Sequence, residues 1–261
     1  MSQIRELSTT TGPEFPNEWY DLASDGHVWL EWRFRSFLGQ LRSLGLPLDA
    51  AWHGLDVGCG HGIVRSQLET ATKWTTDGAD LKREALERND GRRGQNLLYD
   101  IHDRLPEFEA HYDFAVVFDV IEHLESPEAF LRSVEFHVKP GGWIFVNVPA
   151  IDRLQSDFDH AVGHLRRYGR RDLRAAVQGA GLEVRDLRYW GFSMLPYLVL
   201  RWLRSSGSGT RRAVIERGIQ PPAAWMLRWI ERIMMLETGV VGRVPLGTSL
   251  LLAAVRPDRR S

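Results

Sequence analysis

Three glycines alternate with other residues in the segment LDVGCGHG, directly after an apolar stretch typical of a β-strand. Gly58, Gly60 and Gly62 give this turn a bare main chain, which a ligand can approach without obstruction by side chains. The dinucleotide fingerprint requires Gly-x-Gly-x-x-Gly, but Ile63 stands where that spacing needs its third glycine. The turn predicts a cofactor site, with a nicotinamide-dependent oxidoreductase as the less favoured interpretation.

Four aspartates stand where successive predicted strands end. Asp80 ends the second strand, where a carboxylate can accept hydrogen bonds from ribose hydroxyls, and Asp100 ends the third, placed for an adenine amino group. Asp119 ends the fourth strand, and Asp56 ends the first, placed to orient an ammonium group. The ligands of open α/β sheets lie beyond the carboxyl ends of the strands, so the four aspartates predict one shared site.

Two histidines and several cationic side chains crowd into the segment FDHAVGHLRRYGRRDL. Imidazole is well matched to general-base chemistry near neutral pH, so His164 is the first candidate base and His160 the second. Tyr168, Arg166 and Arg167 are candidates for contact with a substrate. The alternative interpretation is that this segment caps and solvates the helix that follows it.

No metal site is predicted. His160 and His164 have the i, i+4 spacing of two ligands on one helix face, but the metalloprotease pattern needs a glutamate where Ala161 stands. His123, in FDVIEHL, follows the fourth strand and is a candidate substrate contact. Alternatively, Glu122 and His123 fix the local loop.

Strand-like and helical segments alternate around these residues. Strands are predicted at AWHGLDVG, WTTDGADL, NLLYDI, FAVVFDV, WIFVNVP, LEVRDLRYW and GTSLLLAAVR. Helices are predicted over 26–44 and at GIVRSQLETA, KREALERN, SPEAFLRSVEFHV and RRDLRAAVQGAG. Strands separated by helices of this length indicate βαβ units and a parallel sheet.

Composition narrows the classes of function. The chain of 261 residues is 43% hydrophobic and 26% charged, as in an ordinary globular protein. Its net charge of −1 provides no global field for a nucleic-acid partner or an anionic bilayer. Cys59 is the single cysteine, no signal peptide is recognisable, and no segment approaches the ~20 apolar residues of a membrane span. These features predict a cytoplasmic protein without disulfides.

The motifs LDVGCGHG, GADL, YDI, FDVIEHL and KPGG together resemble those of class I S-adenosylmethionine (SAM)-dependent methyltransferases, over residues 53–190. The resemblance implies SAM as cofactor and S-adenosylhomocysteine (SAH) as product. It implies an α/β fold with a doubly wound seven-stranded sheet, mostly parallel with an antiparallel last strand. Helices would cover both faces, and a helical insertion would lie between the last two strands.

The same resemblance implies roles for residues beside the four aspartates. Those expected to contact the cofactor are Gly58, Cys59, Gly60, Leu81, Ile101 and Val120. The implied reaction is methyl transfer to an oxygen or nitrogen of a small-molecule or lipid-linked acceptor. A catalytically inactive SAM-binding or scaffold protein is the alternative.

Four segments make up the predicted domain organisation. Residues 1–17 form a flexible arm, 18–190 the N-terminal helix and Rossmann-like core, 191–244 a helical cap, and 245–261 the final strand and tail. Trp29 near the start of the first helix is a candidate substrate contact, or it packs on the sheet. Apolar helices with basic residues are typical of interfacial binding, so 192–240 has three open roles: substrate cap, homodimer interface and peripheral membrane contact.

Overall fold

An eight-stranded sheet lies at the centre of the structure, a computed structural model that describes residues 4–9, 28–89, 93–203, 214, 224–238 and 244–258. Its strands are β1 (Ile4–Glu6), β2 (His53–Val57), β3 (Thr75–Asp80), β4 (Asn96–Leu98), β5 (Tyr112–Phe118), β6 (Val138–Pro149), β7 (Glu183–Trp190) and β8 (Ser249–Val255). They lie side by side in the order β1-β4-β3-β2-β5-β6-β8-β7.

The pairing directions confirm the predicted fold class. Neighbours from β1 through β6 pair in parallel, whereas β8 is antiparallel to both β6 and β7. The chain reverses direction across the sheet at β2, because β3 lies on one side of it and β5 on the other. Ligands of doubly wound sheets bind at such a switch point, which here follows the glycine turn.

The sheet contains one strand more than the seven expected. Ile4–Glu6 lies inside the segment predicted as a loose arm, and it pairs in parallel with Asn96–Leu98 at the sheet edge. An ion pair of 2.7 Å between Arg5 and Glu107 helps to fix it. Three residues without apolar alternation are too few to show a recognisable period, so no strand was predicted here. Residues 10–17 of the predicted arm lie outside the described residues.

The described helices are α1 (Val28–Ser43), α2 (Ile63–Ala71), α3 (Arg83–Glu87), α4 (Pro127–His137), α5 (Asp157–Ala161), α6 (Arg170–Gly179), α7 (Leu195–Leu203) and α8 (Ala224–Leu236). Helices α7 and α8 lie between β7 and β8, as the resemblance implied. Helix α5 lies in the polar segment that carries His160 and His164, where the sequence predicted no helix. Residues 205–212, whose sequence SSGSGTRR indicates a flexible linker, fall outside the described part of the chain. No described helix is long and apolar enough to cross a bilayer.

Helix α1 packs across one face of the sheet through its aromatic residues. Phe37 is fully buried, and its ring lies 5.0 Å from that of Phe118 on β5 and 5.1 Å from that of Phe145 on β6. Trp32 is buried in the same cluster. Edge-to-face pairs of this kind add to the area that the rings bury, so α1 is held firmly over the strands that end at the site.

Candidate active site

The glycine turn after β2 requires glycine for conformational reasons. Gly58, Gly60 and Gly62 have φ angles of 71°, 52° and 81°, in the left-handed region that residues with a Cβ rarely adopt. A Cβ on Gly62 would also lie 2.1 Å from Oδ1 of Asn89. The main chain of this turn is therefore kept bare, as the sequence pattern predicted.

Asp80 ties the end of β3 to this turn. Its Oδ2 accepts a hydrogen bond of 2.8 Å from the amide of Gly60, and its Oδ1 accepts one of 2.9 Å from the amide of Lys82. Burial raises the pKa of Asp80, and hydrogen bonds to backbone amides oppose that rise. The carboxylate stands at the strand end where sequence reasoning placed it.

Asp56 is a buried carboxyl group at the end of β2. It is 2% exposed, and its Oδ2 has no hydrogen-bond partner in the described structure. Burial raises its pKa to about 7, although the guanidinium groups of Arg33 and Arg65 act to lower it. A buried oxygen without a partner is costly, so this geometry fits an incoming donor such as an ammonium group.

Asp119 follows β5 and is held from two sides. Its Oδ2 accepts a hydrogen bond from the Arg33 guanidinium, and its Oδ1 accepts one of 2.6 Å from the Asn147 side chain. Arg33 comes from α1 and lies over the ring of Phe118, with its guanidinium carbon 5.3 Å from the ring centroid. Sequence reasoning missed Arg33, although a charged residue on an otherwise aromatic helix face was an available signal.

The other residues that were expected to contact the cofactor differ in their burial and hydrogen bonds. Oδ1 of Asp100 accepts a hydrogen bond of 2.9 Å from the amide of His102, which caps a short 3₁₀ turn. Ile101 is buried in the core, and burial raises the pKa of the Cys59 thiol well above its ordinary value. A Cβ on Gly58 would lie 2.7 Å from Cγ2 of Val120, so the glycine turn and the loop after β5 are in close contact.

The polar segment before α6 brings His164 into a charged, mostly buried cluster. Its Nδ1 lies 3.0 Å from Oδ1 of Asp159, and its ring centroid lies 4.8 Å from that of His123. Glu122 is fully buried, and neither of its carboxyl oxygens has a hydrogen-bond partner in the described structure. Burial raises the pKa of Glu122 well above its ordinary value and lowers that of His123 to about 4.

Of the other predicted substrate residues, Arg167 joins this cluster, whereas Tyr168, Arg166 and Trp29 make contacts elsewhere and His160 is exposed. His160 is exposed on α5, while Tyr168 is 4% exposed and its hydroxyl donates to the carbonyl of Ile121. The guanidinium of Arg166 donates to the carbonyl of Leu124 at 3.0 Å. Arg167 is buried, and its guanidinium pairs with Asp159 at 2.7 Å. Trp29 packs on Trp190, with ring centroids 4.5 Å apart.

Three side chains with metal-ligand chemistry also meet here. One ligand-type atom from each of Glu122, His123 and His164 lies within 4.8 Å of the others. The sequence discounted a metal site on the spacing of His160 and His164, whereas the structure gives His164 different neighbours. The absence of a metal stays a prediction.

The glycine turn at a switch point, flanked by strand ends that carry Asp56, Asp80 and Asp119, defines a Rossmann-like class I SAM-dependent methyltransferase. Residues 29–187 match the family model described as a methyltransferase domain. That match covers more than half of the chain, which belongs to this methyltransferase family.

A protein of similar sequence supports this assignment. The chain is 27% identical over 154 residues to the ubiquinone biosynthesis O-methyltransferase of Chromobacterium violaceum, and the match covers 56% of this chain and 63% of that protein. The matched region thus spans less than two thirds of that relative.

Solved structures show the same fold. A complex of the Haloferax volcanii Trm112 methyltransferase activator with a putative methyltransferase aligns with a TM-score of 0.60 at 18% identity, covering 95% of this chain and all of that one. Phosphoethanolamine N-methyltransferase 2 of Haemonchus contortus, solved with SAM, aligns with a TM-score of 0.52 at 15% identity, covering 92% of this chain and 60% of that one. At these identities the likeness concerns the fold alone.

Proposed function

We propose that the protein transfers the methyl group of SAM to a hydroxyl oxygen of a small acceptor that carries an apolar chain. The observation that carries the proposal is the convergence of Asp56, Asp80 and Asp119 on the bare glycine turn. The name of the Chromobacterium violaceum relative favours oxygen over nitrogen as the methylated atom.

The cofactor roles follow from charge and position. Asp80 is suited to accept hydrogen bonds from the ribose hydroxyls, and the unpartnered oxygen of Asp56 is suited to the ammonium of the amino-acid tail. Arg33, which is paired with Asp119, lies where its guanidinium can bind the carboxylate of that tail. Asp100 is assigned to the adenine side. SAM supplies an activated methyl group, and these residues hold it in line with the acceptor.

Proton removal is assigned to His164. The loop after β5 connects the two sides of the site, because Val120 touches the glycine turn while His123 lies against the His164 ring. An acceptor placed beside this loop would have its hydroxyl near imidazole, the side chain suited to accept its proton near neutral pH. Exposed His160 is the weaker candidate, since it stands apart from the buried cluster.

An apolar groove along α7 supports the lipid-like part of the proposal. Its volume is about 580 Å³. The residues that line it are Phe192, Ser193, Leu195, Pro196, Val199, Leu200 and Leu203. Exposed apolar residues continue on α8, where Trp229 and Leu236 are 58% and 60% exposed. Exposed apolar surface marks binding sites, so we assign the described residues of α7 and α8 to an acceptor chain drawn from a membrane surface.

The activity is tested with purified protein, SAM and two acceptors: a catechol that carries a farnesyl chain and catechol without one. We expect SAH to form with both and the KM to be lower for the farnesylated acceptor, because its chain fills the groove. SAH formation with neither acceptor, alongside intact SAH binding, would favour the inactive scaffold. A larger thermal shift with NAD than with SAH would favour the oxidoreductase.

Membrane contact is tested by flotation with anionic lipid vesicles. Leu203, 63% exposed on α7, is replaced by Glu, and Leu165, 49% exposed in the segment before α6 and not part of the groove lining, is replaced by Glu as a matched control. We expect only Leu203→Glu to reduce flotation. Equal flotation of all three proteins would exclude α7 as the contact. A shift from dimer to monomer on gel filtration with Leu203→Glu would instead assign this face to a homodimer.

A further inference from the structure

The two ring nitrogens of His164 have unlike surroundings. Nδ1 lies 3.0 Å from Oδ1 of Asp159, whereas Nε2 lies 3.9 Å from Oε1 of Glu122. The first distance is that of a hydrogen bond, and the second is too long for one. The ring is therefore anchored through Nδ1 only.

Asp159 is a buried carboxylate that is saturated with donors. The amide and the hydroxyl of Ser156 each donate to its Oδ2 at 2.8 Å, and the Arg167 guanidinium lies 2.7 Å from its Oδ1. Burial alone would raise the pKa of Asp159, but the contacts with His164 and Arg167 outweigh burial and lower the pKa well below its ordinary value. An ionised carboxylate only accepts hydrogen bonds, so Nδ1 of His164 must carry the proton.

The other nitrogen, Nε2, lies next to the loop after β5. The ring of His123 lies 4.8 Å from that of His164, and both His123 and Glu122 belong to the loop after β5. Val120, two residues earlier, contacts the glycine turn. Nε2 thus lies beside the loop after β5, which also contacts the glycine turn through Val120.

We propose that Asp159 is a positioning residue that holds His164 in the Nδ1–H tautomer, so that Nε2 accepts the hydroxyl proton of the methyl acceptor. This inference deepens, and rests on, the oxygen methylation proposed above. As the acceptor oxygen forms its bond to the methyl carbon, the S–CH₃ bond breaks with its electron pair left on sulfur, and the hydroxyl proton moves to Nε2. Asp159 stabilises the imidazolium, which gives the proton to water because the His164 side chain is 15% exposed.

Glu122 leaves Nε2 available for this task. Burial and the nearby Asp119 raise the pKa of Glu122 well above its ordinary value, which favours its uncharged form. Its Oε1 lies 3.9 Å from Nε2 of His164, too far for a hydrogen bond that would occupy this nitrogen. On the Nδ1 side of the ring, Asp159 pairs with Arg167 at 2.7 Å.

The tautomer can be measured without any acceptor. Long-range ¹H–¹⁵N spectra of the full chain, with ¹⁵N-labelled histidine at pH 8.5, distinguish the two tautomers. The chain has nine histidines, and the signals of His164 are those that disappear in His164→Gln. We expect the Nδ1–H form in the wild type and its loss in Asp159→Asn, whose amide can donate to Nδ1. An Nε2–H tautomer of His164 in the wild type would overturn the proposal, even if Asp159→Asn failed to fold.

Kinetics with catechol in the presence of EDTA provide the second readout. Asp159→Asn should lower kcat by about 100-fold or more with little change in the KM for SAM, and Asp159→Glu should restore part of the loss. Asp157→Asn, on the same short helix but exposed, is the matched control and should keep wild-type kcat.

Three results separate the alternatives. Unchanged kcat in Asp159→Asn would contradict the positioning role. Loss of turnover in EDTA that Mg²⁺ or Zn²⁺ restores would also contradict it, because Nε2 would then bind the ion. Failure of the wild type to methylate catechol would count against the proposed acceptor, while the tautomer would still decide the role of Asp159.

Discussion

Replacing Asp56 with Asn should abolish a proton release that accompanies cofactor binding. Burial raises the pKa of Asp56 to about 7 in the empty protein, so the group is mainly protonated at pH 6. An ammonium placed against its unpartnered Oδ2 favours the ionised form and therefore lowers the pKa in the complex. Binding must then expel the proton, and affinity must rise with pH across this range.

The size of the effect follows from the two protonation equilibria. With a pKa of about 7 in the empty protein and one well below 5.5 in the complex, binding releases about 0.9 proton at pH 6 and about 0.5 at pH 7. The same linkage makes the affinity for SAH about 16-fold higher at pH 7.0 than at pH 5.5. The ammonium of the ligand stays charged in this window, because α-amino groups titrate near pH 8.

Isothermal titration calorimetry with SAH measures both quantities, since the apparent enthalpy depends on the buffer whenever protons are released. Wild type, Asp56→Asn and the surface control Asp152→Asn are titrated in two buffers of different ionisation enthalpy. We expect proton release in the wild type and the control, and none in Asp56→Asn. The reasoning is refuted if Asp56→Asn keeps the wild-type pH dependence, or if the wild type releases no proton at pH 6.

Three further predictions address the site and the core. Asp80→Ala should weaken SAH binding by about 100-fold or more, because two charge-assisted hydrogen bonds of about 1.5–3 kcal/mol each are lost. Fluorescence titration with SAH measures the affinity, and circular dichroism checks that the variant is folded. Retained affinity would exclude Asp80 as the ribose ligand. Asp56→Asn should raise the Tm of the empty protein at pH 8, where the buried carboxylate is ionised, and raise it less at pH 5.5, where it is protonated; an equal shift at both pH values would contradict this sign. Phe37→Ala should lower the free energy of unfolding by about 3–5 kcal/mol in urea titrations, since it empties a fully buried position; a loss below about 1 kcal/mol would show that the cluster relaxes around the cavity.

The sheet was predictable where strands are long, apolar and separated by helices. Each of β2, β3 and β5 leads into a glycine or an aspartate at its carboxyl end. The position of these strand ends at the site could therefore be inferred from the sequence. β1 could not be inferred, because three polar-flanked residues become a strand only through the exposed edge of β4. Helix α5 escaped prediction because five residues are too few to show a helical period.

The strand ends of the candidate site could be predicted from the sequence, whereas the contacts that its side chains make after folding could not. The positions of Asp56 and Asp80 follow from local pattern alone, because a strand end is defined by its own residues. The neighbours of His164 do not follow from local pattern. Arg167 is near in sequence, but its pairing with Asp159 depends on how the segment before α6 folds back on itself. The surroundings of Tyr168 also depend on the fold, because its side chain is buried and its hydroxyl donates to the carbonyl of Ile121, far away in the sequence.

Although Arg33 stands out among the aromatic residues of its helix, its pairing with Asp119 depends on how the whole helix packs on the sheet. The contacts continue beyond it: Asp119 accepts from Asn147 at 2.6 Å, and Asn147 accepts from the indole of Trp190 at 2.9 Å. Trp190 in turn packs on Trp29 of α1, which closes the path back to the helix that carries Arg33. Helix α1, the carboxylate after β5 and the end of β7 are thereby joined through buried polar groups. Any movement of α1 that admits a substrate must therefore either break this chain of contacts or shift Asp119, so access to the site and the position of its carboxylate are mechanically linked.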